Sequence, residues 1–148
     1  MYKKILVPID GSKQSLVALD HAAHLQQDDS DDSEMILLCV FKHHSLFEAS
    51  LSMVRPEEVD LPDDALREYA TTVAEHAREM AIKAGAKKVR AFVKGGRPSR
   101  AIVRFAKDNG IDLIVMGARG TSSDVDGYFL GSVSQRVASL AQCPVLIV

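Results

Sequence analysis

Five short apolar runs, set apart by stretches whose apolar residues recur at helical spacing, constrain this chain more than any other feature. Ile5-Leu6-Val7-Pro8-Ile9 and Met35-Ile36-Leu37-Leu38-Cys39-Val40 are nearly continuous in core-type residues, as strands covered on both faces require. Val89-Arg90-Ala91-Phe92-Val93 alternates, which suits a strand with one face less covered, and Ile111 to Met116 and Pro144 to Val148 supply a fourth and a fifth. Between the first two runs Ser12 can cap a helix carrying Leu16, Leu19 and Ala23 on one stripe, closed by the polar run of residues 26–34. A longer helix is expected from Asp63-Asp64 to Gly85, with Leu66, Tyr69, Ala70, Val73, Ala77, Met80 and Ala84 on one face. A third begins near Pro98-Ser99, buries Ala101, Ile102, Phe105 and Ala106, and stops at Asn109-Gly110; the last starts at Gly131-Ser132 and presents Val133, Val137 and Leu140. Strands alternating with helices, joined by right-handed crossovers, give an α/β fold: a doubly wound, open, five-stranded parallel sheet with helices on both faces.

At 148 residues and 47% hydrophobic content the chain can bury a core without disulfides or metals, and one domain over residues 1–148 is expected. The net charge is −2 and no Lys/Arg run follows the sequence, which argues against nucleic acid as a partner. Pro8 and Asp10 interrupt the first apolar run too early for a signal peptide, and no stretch approaches the roughly 20 apolar residues of a membrane span. A cytoplasmic protein is expected. Cys39 and Cys143 lie in apolar surroundings without CxxC spacing, so they read as reduced thiols rather than as a metal or redox pair. His21 with His24, and His43 with His44, lack the further ligands that would complete a metal site. Residues 42–62 form a long connection with apolar side chains and read as a lid or a partner surface.

In an open α/β sheet, ligands gather beyond the carboxyl ends of the strands where successive connections diverge. The first strand ends in Pro8-Ile9-Asp10-Gly11-Ser12, an acid and a capping hydroxyl at the rim, and the fourth ends in Met116-Gly117-Ala118-Arg119-Gly120, a glycine pair that lets backbone amides approach an anion. Gly131-Ser132-Val133-Ser134 then opens a helix and offers unpaired amides, the positive end of the helix dipole and two hydroxyls. Together these make a triphosphate cradle. Each piece alone also reads as an ordinary turn or cap, Asp10 included. Walker and dinucleotide-binding fingerprints are both absent.

KKILVPIDGS, IDLIVMGARG and GSVSQRVASLAQCPVLIV together resemble the universal stress protein family over nearly the whole chain. The resemblance implies an adenine-nucleotide alpha-hydrolase-like fold and an ATP site of the Gly-x-x-Gly, nine residues, Gly-Ser/Thr type. Carried over, Gly117, Gly120, Gly131 and Ser132 line the phosphates with the Val133 amide and the Ser134 hydroxyl. Met116, Gly117 and Ala118 then touch ribose and phosphate, and Pro8, Ile9 and Asp10 lie beside the adenosine with the Val40 backbone reading the adenine edge. One departure stands out: residues 121–130 place ten residues between Gly120 and Gly131, and Asp124 and Asp126 within that loop repel a triphosphate unless Mg²⁺ or Arg119 intervenes.

The resemblance further implies a homodimer paired through the last strand, Pro144 to Val148, and an apolar strand at a sheet edge invites the same pairing. FKHHSLFEASLSMVRPEE and FVKGGRPSR are similar to members linked to TRAP solute transporters, which implies a peripheral contact with a membrane transporter. The leading reading is an ATP-binding regulator in the stress response or in transport, with little or no catalysis. Two others stand beside it: a slow ATPase or phosphotransferase, with Asp10 helping to hold Mg²⁺ and Arg119, otherwise a solvated loop charge, stabilising phosphoryl charge, and a partner-binding module that holds no nucleotide. Arg97, between Gly96 and Pro98, can reach a phosphate from the rim or pair with a carboxylate.

Overall fold

The computed structural model describes residues 2–28, 32–42, 63–119 and 130–148. Nine elements follow one another within these residues: β1 (Lys4–Ile9), α1 (Lys13–Asp28), β2 (Glu34–Phe41), α2 (Asp63–Lys83), β3 (Lys88–Gly95), α3 (Pro98–Asp108), β4 (Leu113–Met116), α4 (Ser132–Leu140) and β5 (Val145–Ile147). The strands form one parallel sheet in the order β3-β2-β1-β4-β5. The expected doubly wound α/β fold is therefore present. The chain moves outward from β1 to β3, returns to place β4 on the other side of β1, and so creates a switch point between β1 and β4.

Strand alternation sorts the core into two layers. Ile5, Val7 and Ile9 join Met35, Leu37, Leu113 and Val115 under α1 and α2, against Ala18, Leu19, Ala22, Ala77 and Ala81. Leu6, Ile36, Leu38, Ile114 and Met116 face the other way, against Ile102 and Phe105 of α3 and Val137 of α4. Both faces of the central strands are thus buried, which is why β1 and β2 read as continuous apolar runs rather than alternating ones.

Several boundaries and faces differ from expectation. Ile111 and Pro144 precede β4 and β5 rather than beginning them; the Ile111 amide donates to Ala106 O at 2.9 Å, so its apolar side chain seals the end of α3. On α2 the buried line is Ala70, Ala74, Ala77 and Ala81, while Tyr69 is 65% exposed and Met80 lies at the surface. The alanines let α2 approach the sheet closely, and that line is rotated from the one marked by larger side chains. Leu140 is exposed rather than core. Residues 43–62, with His43, His44 and the segment read as a lid or partner surface, lie outside the described residues.

The polar run of residues 26–34 does not simply end the helix, because Gln26 lies in the last turn of α1 and is buried. Its Nε2 donates to Ser33 O at 2.8 Å, and its Oε1 accepts from the Lys87 amide at 3.2 Å, tying α1 to the starts of β2 and β3. Leucine at this position would leave that carbonyl and amide without the partners they now have. A Gln26→Leu variant is expected to lose about 1–3 kcal/mol of stability, read as a lower urea midpoint at unchanged slope.

Candidate functional site

The rim of the sheet opens where β1 and β4 part. Their register runs only through Ile5↔Leu113 and Leu6↔Ile114, while β1 continues beside β2 as far as Ile9↔Cys39. Pro8, which has no N–H to donate, stands beyond the last β1–β4 pair. Proline is tolerated there because no ladder to β4 remains to be broken. Val40 and Met116 pack in the α3–α4 layer, and strand alternation puts Pro8 on the same side with Leu6. Ile9 faces the α1–α2 layer instead.

Asp10 and Ser12 build the turn that starts α1. Asp10 Oδ1 accepts from the Ser12 amide at 2.9 Å, and Ser12 Oγ accepts from the Ser15 amide at 3.2 Å as the helix cap. Gly11 between them has φ +81°, a left-handed conformation that favours glycine. The exposed Asp10 carboxylate is therefore held at the rim by its own backbone. Beneath it, burial pushes the Cys39 thiol up to about 11, with the nearby Asp10 charge adding to the effect. Cys39 stays protonated and behaves as a small apolar side chain, as its sequence surroundings suggested. Both cysteines are free.

The two glycine-bearing corners meet directly. The Gly131 amide donates to Ala118 O at 2.6 Å, and Ser134 Oγ donates to the same oxygen at 2.7 Å while lying 3.0 Å from Gly131 O. Ala118 N in turn donates to Val148 O at 2.9 Å, so the corner after β4 is tied to the end of the chain as well. Ser134 is only 2% exposed, so its hydroxyl acts here as a clasp between the corners. At the start of α4, Gly131 provides no side-chain cap, and the first intrahelical bond is made by the Gln135 amide to Gly131 O. The amides of Ser132, Val133 and Ser134 thus precede the helix's own hydrogen-bond ladder, at the positive end of its dipole.

Gly117 is required for closeness rather than for its φ. A Cβ placed on it would lie 3.0 Å from Gln14 Cβ, 3.1 Å from Gln14 C and 3.2 Å from Gln14 O. Gln14 also accepts the Arg119 amide on its Oε1 at 2.8 Å, so this α1 residue walls one glycine and holds the next turn of the corner. Sequence reasoning missed Gln14: a polar residue in a first helical turn signals nothing about a partner 105 positions away.

Of the expected site residues, Pro8, Asp10, Val40, Met116, Gly117, Ala118, Arg119, Gly131, Ser132, Val133 and Ser134 belong to the carboxyl edge of β1, β2 and β4 and the start of α4. Gly120, with residues 121–129 that follow it, lies outside the described residues. Across the rim a recess of about 230 Å³ is lined by Ile9, Gly11, Leu16, Tyr69, Thr72, Val73 and His76. It includes neither glycine corner and lies on the α1–α2 face. No group of three or more metal-ligating side chains occurs among the described residues; His24 Nδ1 instead pairs with Asp20 O at 2.8 Å. Nor is any described helix long and apolar enough to cross a membrane.

Comparison with known proteins agrees with this architecture. The model of the universal stress protein family matches residues 1–148. Universal stress protein YxiE of Bacillus subtilis is 36% identical over 151 residues, covering 100% of this chain and 99% of the relative. Universal stress protein MJ0577 of Methanocaldococcus jannaschii is 31% identical, and its solved structure superposes with a TM-score of 0.78 over 100% of this chain and 96% of that one. A universal stress protein crystallised in complex with cAMP is 26% identical, with a TM-score of 0.74 over 99% of this chain and 97% of its own. With the family model matching the whole chain and relatives at 36% and 31% identity aligned along its full length, the chain belongs to the universal stress protein family.

Proposed function

We propose that this protein binds ATP at the joined glycine corners and acts through binding rather than turnover. The observation that carries this reading is the uncapped start of α4, fastened to the β4 corner by the Gly131 amide and the Ser134 hydroxyl, both donating to Ala118 O. Three backbone amides and a helix dipole at a sheet switch point form the kind of site that receives phosphates. The cAMP complex of a neighbour at 26% identity supports an adenine nucleotide as the ligand class.

In this reading the Ser132, Val133 and Ser134 amides hold the phosphates together with Gly117 and Gly120. Met116 and Ala118 lie along the ribose, Pro8, Asp10 and the backbone of Ile9 flank the adenosine, and the Val40 backbone reads the adenine edge. Arg119, its amide held by Gln14, supplies positive charge. A Mg²⁺ ion would find one protein carboxylate at the described rim, Asp10, and would take its remaining oxygens from the triphosphate and water. The described part of this corner is built from backbone amides, glycines and the Ser134 hydroxyl, groups that hold phosphates by hydrogen bonding, and this supports a binding role.

The edge position of β5 supports a homodimer. Val145 and Ile147 face the core, Leu146 and Leu140 are exposed at 39% and 60%, and among the described residues the outer side of β5 has no strand partner in the sheet. We place this dimer in the cytoplasm as a regulator in the stress response or of a membrane transporter. Calorimetry with purified protein tests the ligand. Heat of binding, with a rise in melting temperature as ATP is added, is expected. No heat and no thermal shift at millimolar ATP would overturn the reading, and rapid phosphate release abolished by Asp10→Asn would overturn its non-catalytic part.

A further inference from the structure

The segment PSRAIVRFAKD folds as α3 with Ser99, Ile102, Phe105 and Ala106 buried. That choice of inner stripe turns Arg100, Arg104 and Lys107 outward at spacings of four and three, so they share one exposed face. Arg97, the residue before the first helical turn, extends the line, and Arg136 adds an exposed cation on neighbouring α4. The line from Arg97 to Lys107 is about 15 Å long at helical rise. Against these five cations the two helices carry one carboxylate, Asp108, with an oxygen 3.8 Å from Arg104 Nε. Among the described residues, Arg97, Arg100, Lys107 and Arg136 have no ion-pair partner. Five cations less one carboxylate leave this layer at +4 in a chain of net charge −2, so the remaining residues together carry −6.

A solvated helix face normally mixes the two signs, as α2 does with Glu68, Glu75 and Glu79 beside Arg67, Arg78 and Lys83. The α3–α4 layer does not. We propose that this layer is a docking face for the anionic surface of a phospholipid bilayer. Arginine engages phosphate oxygens bidentately, and a straight row of four cations, of which only Arg104 has a carboxylate beside it, matches a plane of phosphates. Protein partners are usually gripped through buried aromatic or apolar anchors. The large apolar side chains exposed among the described residues are Val17, Tyr69, Met80, Ile82, Leu130, Leu140 and Leu146, of which only Leu140 belongs to α3 or α4. Attachment is therefore electrostatic, peripheral and reversible. α3 packs over β2, with β1 and β4 between β2 and β5, so pairing through the β5 edge leaves the row open. The inference does not depend on the nucleotide reading.

Each basic residue near an anionic surface strengthens partitioning about fivefold. Cosedimentation of the full chain with phosphatidylglycerol-containing vesicles is expected at low ionic strength, with little on pure phosphatidylcholine and little at about 0.5 M salt. An Arg100→Ala/Lys107→Ala variant is expected to partition about 30-fold more weakly. A Lys3→Ala/Lys83→Ala control, which removes equal charge from exposed positions outside this layer, is expected to change partitioning less than twofold. Melting curves should match for all three proteins, since every substituted side chain is exposed. Failure to bind anionic vesicles, equal losses in both variants, or tighter binding to an acidic polypeptide or to DNA than to vesicles would each overturn the proposal.

Discussion

A Gly117→Val variant is expected to bind ATP at least about tenfold more weakly and to lose about 1–3 kcal/mol of stability. The first atom of any side chain at this position meets Gln14 at 3.0–3.2 Å, and two of the three contacts are backbone atoms in the first turn of α1. That turn is itself fixed by the Ser12 cap and the Asp10 carboxylate, so it does not yield cheaply. The corner after β4 must move instead, and with it Ala118, whose carbonyl holds the start of α4. Gly117→Ala combined with Gln14→Ala keeps the Cβ, C and O of residue 14 that crowd this corner and adds the loss of the Arg119 amide's acceptor, so it is not expected to restore affinity. Calorimetry on the valine variant decides the matter. ATP affinity equal to that of the parent would mean that the phosphates do not lie at this corner.

The largest stability loss is expected from Leu37→Ala. Leu37 is 0% exposed in the middle of β2, in the layer that joins α1 and α2 to the sheet. Both flanking strands are tightly registered, Val7↔Leu37 on one side and Leu37↔Ala91 on the other, so the cavity cannot collapse by a local shift. A loss of about 2–5 kcal/mol follows, and the melting temperature falls by about 10 °C for a chain of this size. Tyr69→Ala, on a side chain 65% exposed, serves as the contrast and should stay within about 0.5 kcal/mol. A small loss at Leu37 would show that the α1–α2 layer is loosely packed.

Sequence reading succeeded where one physical demand acted alone. β1 and β2 are covered on both faces, so their residues have to be apolar without interruption, and both strands were legible. The face of α2 was less so, because close approach to the sheet selects alanine, while Tyr69 and Met80 carry more apolar surface and mark the wrong line. Ile111 was drawn into β4 because a residue that seals a helix end must be as apolar as one in a strand. At the site, the Gly131-Ser132 helix start was visible as a motif, since local backbone geometry dictates it. Gln14 was invisible because its role exists only after β4 has returned to lie beside β1. The cations of α3 escaped notice for a related reason: they do not adjoin in sequence, and only the helical turn gathers them into a row.

The place of β1 has a consequence for how the chain is made. β1 emerges first, yet its β4 neighbour and the Asp112 carboxylate that accepts the Lys3 amide come 109 residues later. At ordinary elongation speeds that delay is of order ten seconds, during which one flank of the first strand has no mate. Parallel neighbours cannot be supplied by a quick hairpin. Nascent chains of this design therefore depend on β2 and α1 to shelter the strand while the ribosome finishes the half that completes its pairing.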